Sequence, residues 1–286
     1  MTLLITGATG NIGARVVQQL IERGIRPRVF VRDPLKLRAH FGDRVDVAIG
    51  DLDDAASLTA ALDGIDRLFL VNSGSTLAAR DALAADAAKR CGVERIVKLS
   101  ALGARAQTEP TAVALWHAEG EAAIRASGVL FSFIQPVGFM SNALEWARSI
   151  KADSVVRAST GDGRIAMIHP DDIAAVATEA LLGDERFENR SFVITGPSAL
   201  TYSEMTQQIG VAIERTLHFE PISDEQAHAN LLRHGLPPAL ADALIVLWRE
   251  VREGLVAMVT NEVERIVGRA PIAFATWAKQ NAAAFR

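Results

Sequence analysis

The chain has 286 residues, of which 49% are hydrophobic and 22% are charged, and its formal net charge is −4. This composition is typical of a soluble globular protein with a sizeable core, and the negative charge argues against a nucleic-acid partner. The one cysteine, Cys91, excludes an internal disulfide and a cysteine-based zinc cluster. The first predicted strand begins at residue 3, which leaves no room for a signal peptide, and no apolar run is long enough to cross a membrane. We therefore expect a cytoplasmic protein that does not contact membranes.

Apolar strand-like runs and helical patterns alternate through the first half of the chain. The predicted strands are Leu3–Thr6, Arg28–Val31, Val45–Ile49, Arg67–Val71, Arg95–Leu99 and Leu130–Ile134. The predicted helices are 12–22, one that begins at Asp33-Pro34, 57–62, 77–90 and 116–127. A repeating βα unit implies parallel strands joined by right-handed crossovers. Together with a glycine-rich first turn it predicts an α/β fold with a doubly wound parallel sheet of the Rossmann type.

After residue 140 this rhythm changes. Strands are predicted at 155–158, 165–168 and 191–195, and helices at 142–150 and 173–182. A further helix is predicted from the capping pattern at 201–204 through 213, and the rest of the tail is mainly helical. We predict a Rossmann domain at 1–140, to which 165–196 returns. A second, smaller and mainly helical C-terminal domain, formed by 141–164 and 197–286, is expected over the carboxyl ends of the strands, where substrates bind in such sheets.

A glycine-rich turn follows the first strand at once. Three glycines stand at three-residue spacing, and a helical pattern begins directly after them. Such glycines let the backbone approach a pyrophosphate, and the helix N-terminus supplies N–H groups and a partial positive charge. The pattern predicts a dinucleotide site formed by Gly7, Thr9, Gly10, Asn11, Ile12 and Gly13. The alternative is a βα turn that binds nothing.

The end of the second strand is where the adenosine ribose is expected. Arg32 stands there, and its guanidinium suits a 2′-phosphate, whereas an acidic residue would favour NAD. Asp33 would repel a 2′-phosphate if it pointed into the site, but we interpret it as the N-cap of the helix that begins with Pro34. The sequence therefore favours NADP(H) as cofactor, with NAD(H) as the alternative.

Polar residues also follow the third, fourth and fifth strands. Asp51 and Leu52 stand where adenine contacts are usual, although Asp51 is also a candidate helix cap. The chain is expected to pass close to the ribose and phosphates at Asn72, Ser73 and Gly74. Ser100 follows the fifth strand, either as a contact to substrate or nicotinamide or as a cap of the strand end.

Five ordered motifs carry a family resemblance over essentially the whole chain. They are Thr6–Gly13, Val31–Pro34, Gln135–Met140, His169–Ala174 and Thr195–Pro197. Together they resemble the NmrA-like group of atypical short-chain dehydrogenases/reductases, and the tail, with Gly254 and then Gly268–Pro271, is also similar to members of that group. The resemblance implies NAD(P)H binding, further cofactor contacts at Pro136 and Gly138, and one of two activities: quinone or dye reduction, or nucleotide sensing with little chemistry.

Ordinary members of that superfamily carry a catalytic tyrosine and a lysine four residues apart. The one tyrosine of this chain, Tyr202, lies in the wrong part of the fold, and His117 and Glu121 occupy the two slots. They are one helical turn apart and can interact. Three roles for His117 are open: proton donor, hydrogen-bond partner of nicotinamide or ribose, or a residue that orients the helix through Glu121. Ser100, His117 and Glu121 are the catalytic candidates.

Without the tyrosine, an activated acceptor is favoured, because a quinone delocalises the incoming charge and solvent completes its protonation. Four apolar side chains are candidates for a pocket for a flat, apolar small molecule, or else for plain core: Phe139, Met140, Trp146 and Trp248. We predict an NAD(P)H-dependent oxidoreductase; the alternative is an NADP(H)-sensing regulator that acts through a protein partner. A homodimer is possible. No metal site is expected, since no second histidine stands at ligand spacing from His169.

Overall fold

The computed structural model describes residues 1–102 and 112–286, apart from the side chains at positions 36 and 38. The strands in chain order are β1 (Leu3–Thr6), β2 (Arg28–Val31), β3 (Asp46–Ile49), β4 (Arg67–Leu70), β5 (Arg95–Leu99), β6 (Leu130–Pro136), β7 (Val155–Ala158), β8 (Arg164–Ile165), β9 (Arg190–Ile194), β10 (Leu200–Thr201) and β11 (His218–Pro221). The first eight α-helices are α1 (Asn11–Glu22), α2 (Pro34–Phe41), α3 (Ala55–Leu62), α4 (Leu77–Arg90), α5 (Ala112–Ser127), α6 (Ala147–Asp153), α7 (Pro170–Leu182) and α8 (Tyr202–Ile213). The tail adds α9 (Asp224–Arg233), α10 (Pro238–Arg252), α11 (Glu262–Val267), α12 (Phe274–Gln280) and α13 (Ala282–Phe285).

The main sheet has seven strands in the order β3-β2-β1-β4-β5-β6-β9. Every neighbouring pair from β3 to β6 is parallel. The chain runs outward from β1 in one direction to β3 and then restarts on the other side of β1 with β4. The doubly wound sheet of the Rossmann type is therefore confirmed. The strand order reverses between β1 and β4, which is where ligands bind in sheets of this kind.

Helices cover both faces of this sheet, which explains why the central strands β1 and β5 are buried on both sides, while the edge strand β3 keeps two exposed residues. All four residues of β1 are buried. On one side, a core cluster joins strand residues such as Leu4 and Leu68 to the inner faces of α3, α4 and α5. α1 packs against α7, and the buried stripe of α1 consists of Ile12, Gly13, Val16, Val17 and Leu20.

The described chain divides into two compact units. The first consists of residues 1–135 and 170–193, and the second of residues 136–169 and 194–286. The sequence predicts these boundaries a few residues later, at 140 and 196, and predicts that the returning segment begins at 165 rather than at 170. The second unit is mainly helical and contains two small sheets, β8 with β10 and β7 with β11. The cofactor and substrate roles of the two domains stay predictions.

Two predicted elements of the second unit differ in detail. The strand predicted at 165–168 is regular only in β8, because Ile168 turns to other partners. Its N–H donates to the carbonyl of Gly138, and its own carbonyl accepts from Met140. The helix predicted at 142–150 begins instead as a 3₁₀ segment, Met140–Trp146, which continues into α6.

Candidate functional site

A cavity of about 330 Å³ lies in the first unit at the carboxyl ends of β1, β2, β3 and β4. It therefore sits at the point where the strand order reverses. Seven of the predicted cofactor-binding residues line it: Gly7, Thr9, Arg32, Asp51, Leu52, Asn72 and Ser73. The lining also includes residues that the sequence analysis did not select: Thr6, Phe30, Val31, Asp33, Gly50, Val71 and Arg80.

The turn between β1 and α1 depends on its glycines. Gly7 has a φ of +64°, a conformation that side chains other than glycine rarely adopt. The N–H of Gly10 donates to the carbonyl of Gly7 at 2.8 Å. A Cβ on Gly13 would lie 2.2 Å from that same carbonyl oxygen, so only glycine lets α1 start this close to the strand. The N-cap of α1 is Gly10, which has no side chain to cap the helix, and this leaves the N-terminus suited to an anion.

Asn11 and Ile12 begin α1 with different environments. The carbonyl and the side-chain oxygen of Asn11 accept from Arg15, whose Nε pairs with Asp171 at 2.7 Å. The side chain of Ile12 is buried in the core. Gly10, Asn11, Ile12 and Gly13 do not line the cavity, and the cofactor contacts expected of them stay predictions.

The end of β2 places a cation at the cavity. Asp33 accepts a hydrogen bond from the N–H of Leu35 at 2.9 Å, which confirms its predicted role as the N-cap of α2. Arg32 is exposed and lines the cavity, and its guanidinium has no hydrogen bond or ion pair with any residue in the described part of the chain. A hydrogen bond from Arg80 lowers the pKa of Asp53, and the charge of nearby Arg32 lowers it further.

The structure at the end of β3 corrects the interpretation of Asp51 as a helix cap. Asp51 does not cap a helix: it accepts from the N–H of Asp53 at 3.1 Å, while Asp54 caps α3 through the N–H of Ala56. Arg80, which the sequence analysis missed, projects from α4 and makes two hydrogen bonds to Asp53, at 2.8 and 2.6 Å. It lies near the start of α4, a few residues after Asn72 and Ser73, but the local sequence does not distinguish it from an exposed helix arginine.

The end of β4 leads into a buried polar group. Asn72 donates from Nδ2 to Asp81 Oδ1 at 2.6 Å, and Asp81 Oδ2 lies 2.6 Å from the ammonium of Lys98. Ser73 lines the cavity. Gly74, with a φ of +92°, does not line it and supplies the tight bend before α4.

Ser100 and Glu121 form a second polar group at the ends of β5 and β6. The Ser100 hydroxyl donates to Glu121 Oε1 at 2.6 Å, and Gln135 Nε2 donates to the same oxygen at 2.8 Å. Arg125 donates to the other oxygen at 2.9 Å and stacks on two phenylalanine rings. The Ser100 side chain thus bonds to a carboxylate rather than capping the strand end. Its lone pairs are left to accept.

His117 is half-buried, and its Nδ1 is cut off from water without a hydrogen-bond partner among the described residues. Burial, and the nearby charge of Lys98, lower the pKa of His117 from 6.5 to about 3. The ring is therefore neutral at neutral pH, and the premise that it titrates there is not met. Ser100, Gln135 and Arg125 donate to the Glu121 carboxylate, and the interpretation that His117 orients its helix through Glu121 stays a prediction.

The remaining candidates lie in the second unit. Gly138 accepts from Ile168, and a Cβ on it would lie 3.1 Å from Ile165; its cofactor contact and that of Pro136 stay predictions. Trp146 and Trp248 pack around buried Tyr202, whose hydroxyl accepts from Trp248 Nε1 at 3.1 Å. These aromatic rings are core, as the alternative interpretation held.

Within residues 1–102 and 112–286, three or more histidine, cysteine or acidic side chains do not converge on a common point that could hold a metal ion. Among the same residues, none of the helices has the length and apolar character required to cross a membrane.

A doubly wound sheet, a glycine turn and a polar cavity at the reversal point define a dinucleotide-binding protein with a Rossmann fold. Residues 7–184 match the model of a family described as NAD(P)H-binding. The chain is 36% identical over 283 residues to the (4-alkanoyl-5-oxo-2,5-dihydrofuran-3-yl)methyl phosphate reductase of Streptomyces griseus, with 99% of each chain covered. It is 35% identical over 285 residues to the NAD(P)H azoreductase of Xenophilus azovorans, again with 99% of each covered.

A solved structure extends this comparison. The NADPH-dependent quinone oxidoreductase of Escherichia coli, complexed with NADPH, matches with a TM-score of 0.89 at 26% identity, over 98% of this chain and 99% of that chain. The chain belongs to the NAD(P)H-binding family, and its resemblance to the NmrA-like atypical reductases is confirmed. It is an NAD(P)H-dependent reductase of small-molecule acceptors.

Replacing Gly10 tests the cofactor site. The backbone at Gly10 is extended, which valine adopts, and a Cβ there would lie 3.2 Å from the carbonyl oxygen of Gly7, a tight contact that a shift of a few tenths of an ångström relieves. The Gly10→Val side chain would block the approach of the phosphates. We expect NADPH binding, measured by fluorescence titration, to be lost while the melting temperature stays near the wild-type value. Gly13→Ala, which clashes, should lower the melting temperature instead. Retained binding in folded Gly10→Val would overturn the site.

The low pKa of His117 predicts a pH-dependent stability. The folded-state pKa lies below the unfolded value, so the stabilising contribution is present above about pH 6.5 and is lost as the pH falls toward about 3. The free energy of unfolding in urea should therefore fall more from pH 7 to pH 5 in the wild type than in His117→Asn. His218→Asn, which replaces an exposed histidine, should follow the wild type. Equal falls in all three would contradict the lowered pKa.

Proposed function

We propose that this reductase uses NADPH to reduce a flat, conjugated acceptor of the quinone type, with water rather than a side chain as the source of the proton. The observation that carries this proposal is the neutral His117 beside a fully engaged Glu121, in the two slots where the usual acid pair stands. Two similar proteins are named a quinone oxidoreductase and an azoreductase, and quinones and azo compounds are both conjugated. When bound, NADPH supplies the hydride.

The residues around the cavity fit the adenosine half of that cofactor. In the proposal, Arg32 pairs with the 2′-phosphate, for which its unpaired and exposed guanidinium is suited. Asp51 accepts from the adenine amino group. The glycine turn receives the pyrophosphate at the N-terminus of α1, and Asn72 and Ser73 lie along the ribose.

Ser100 and His117 act on the nicotinamide side in the proposal. Because the Ser100 hydroxyl proton is donated to Glu121, Ser100 offers a lone pair, which suits the N–H of the carboxamide. Neutral His117 offers one N–H and one lone pair for hydrogen bonds, but it releases no proton at neutral pH. Hydride transfer to a quinone gives a delocalised hydroquinone anion, which takes its proton from water. A simple ketone would form an alkoxide that needs an acid.

Steady-state oxidation of NADPH tests the proposed reaction. We expect absorbance at 340 nm to fall when a benzoquinone or naphthoquinone is added and to stay constant with a simple ketone. Gly10→Val, which lacks the cofactor site, is the matched control and should show no turnover. Tight NADPH binding without turnover on any conjugated acceptor would overturn the proposal and favour an NADP(H) sensor that acts on a protein partner.

The 2′-phosphate contact is tested by Arg32→Ala. One charge-assisted hydrogen-bonded contact contributes about 1.5–3 kcal/mol, so the dissociation constant for NADPH should rise by about 10- to 100-fold. The value for NADH should change by less than about twofold, since NADH lacks the phosphate. Arg26→Ala is the control, because it also removes one positive charge but lies just before the start of β2, at the other end of the strand from Arg32. Equal losses for both nucleotides would exclude the contact.

Other parts of the prediction concern the protein's surroundings. A homodimer or protein partner, the lack of a nucleic-acid partner, and a cytoplasmic location stay predictions.

A further inference from the structure

Two arginines line the cavity at the carboxyl ends of β1 to β4, and they differ in their partners. Arg32 has no hydrogen bond or ion pair with the described residues, whereas Arg80 makes two hydrogen bonds to one carboxylate. Its Nε donates to Asp53 Oδ1 at 2.8 Å, and its Nη2 donates to Asp53 Oδ2 at 2.6 Å. Two parallel hydrogen bonds of this kind fix the orientation of a guanidinium as well as its position. Arg80 is therefore held in one orientation beside the cavity.

The guanidinium of Arg80 is bonded to two strand ends at once. Asp53 follows β3 and Ser73 follows β4, the outermost of the four strands whose ends line the cavity. Nη1 of Arg80 donates to the Ser73 carbonyl at 3.4 Å. All the N–H donors of arginine lie in the plane of its guanidinium. Because Nε, Nη1 and Nη2 all donate to the outer strand ends, the largest surface that Arg80 leaves for a ligand in the cavity is its flat face.

Stability gives little reason for this pair. The side chains of Arg80 and Asp53 are 23% and 53% exposed, and an ion pair so open to water contributes little to the free energy of unfolding. α4 is already fixed in the first unit by a buried face that includes Leu77, Ala84 and Ala88. What distinguishes the pair is its place at the cavity, which points to a role in binding.

The part of the cavity around Arg80 suits a flat ring with polar edges. Leu52, next to Asp53 in the chain, supplies apolar surface to the lining, and Asp51, which accepts from the N–H of Asp53 through one oxygen, has a second oxygen for a donor on a ring edge. The hydrogen bond to Asp53 raises the pKa of Arg80, and the charge of nearby Asp51 raises it further, so Arg80 stays a cation. A cation over the face of an aromatic ring is attracted by that ring, and guanidinium planes stack on nucleic-acid bases.

We propose that Arg80 binds the adenine ring of the dinucleotide through the flat face of its guanidinium, and that Asp53 is the positioning residue that holds this face in place. The inference rests on the proposed function, which puts the adenine beside Asp51, and it adds a contact to the ring face that is separate from the contact to the amino group. Adenine is common to NADPH and NADH. Arg80 therefore strengthens the binding of both cofactors, whereas Arg32 distinguishes them.

Arg80→Ala and Arg80→Lys test the contact. Lysine keeps the positive charge but has no flat face, so we expect both variants to raise the dissociation constants for NADPH and NADH by about 3- to 30-fold. The factor should be the same for the two nucleotides. Arg90→Ala, which removes an exposed arginine paired with Asp86 in the same helix, is the matched control and should leave both constants unchanged.

Three outcomes would overturn the inference. A loss confined to NADPH would assign Arg80 to the 2′-phosphate. Binding by Arg80→Lys within about twofold of the wild type would assign it to a phosphate, for which the charge alone is enough. Binding of both nucleotides by Arg80→Ala within about twofold of the wild type would exclude a contact. In that last case, if Gly10→Val abolishes binding, only this inference fails, and if Gly10→Val still binds, the cofactor site itself is wrong.

A double-mutant cycle tests whether Asp53 acts through Arg80. NADH is the ligand for this cycle, because the charge of Asp53 would also act on the 2′-phosphate of NADPH. Asp53→Ala should weaken NADH binding, and Asp53→Ala combined with Arg80→Ala should bind NADH no more weakly than Arg80→Ala alone. The melting temperatures should stay near the wild-type value, because neither side chain is buried. Additive losses, or binding of NADH by Asp53→Ala as in the wild type, would overturn the positioning role.

Discussion

The close approach of α1 to β1 is the constraint on which the cofactor site depends. Gly13 lies so near the carbonyl of Gly7 that no side chain fits between them. That contact brings the N-terminus of α1 to the reversal point of the sheet, beside the cavity. The other lining residues then need only follow the ends of parallel strands, because those ends share one edge. The turn thus determines where along this edge of the sheet the ends of β2, β3 and β4 can contribute residues to the site.

Strand β5 shows how the first unit tolerates charge inside an apolar sheet. Arg95 is almost fully buried, and its guanidinium donates to backbone carbonyls that follow α7 and pairs with Glu188. Lys98, three residues later, pairs with Asp81 instead. Arg95 has an evident structural use, because it satisfies carbonyls at a helix end. Lys98 has none of these backbone partners, and its charge acts instead on Asp81 and His117.

Local signals predicted the parts of the site that depend on neighbouring residues. The glycine turn, the strand ends and the Asp33 cap could all be predicted from the sequence, because each is a short pattern with one physical cause. The Asp81–Lys98 pair could not be predicted, since in the sequence Asp81 is one polar position of an amphipathic helix and Lys98 is a single charged residue in an apolar strand. Only packing in three dimensions brings them together. Asp54 rather than Asp51 caps α3 for a related reason. Several acidic residues stand close together in the sequence there, and the backbone geometry determines which of them caps the helix.

Burial also reverses what the residue type of His117 implies. Histidine usually exchanges protons near neutrality, but here an apolar environment and the positive charge of Lys98 both oppose protonation. Among the residues that the structure describes, His117 and Glu121 offer no strong acid to a developing alkoxide. Under the proposed function, such a site favours acceptors that hold the incoming charge by themselves, through conjugation. Lys98 thus acts on two buried groups, because its ammonium pairs with Asp81 and its charge opposes protonation of His117.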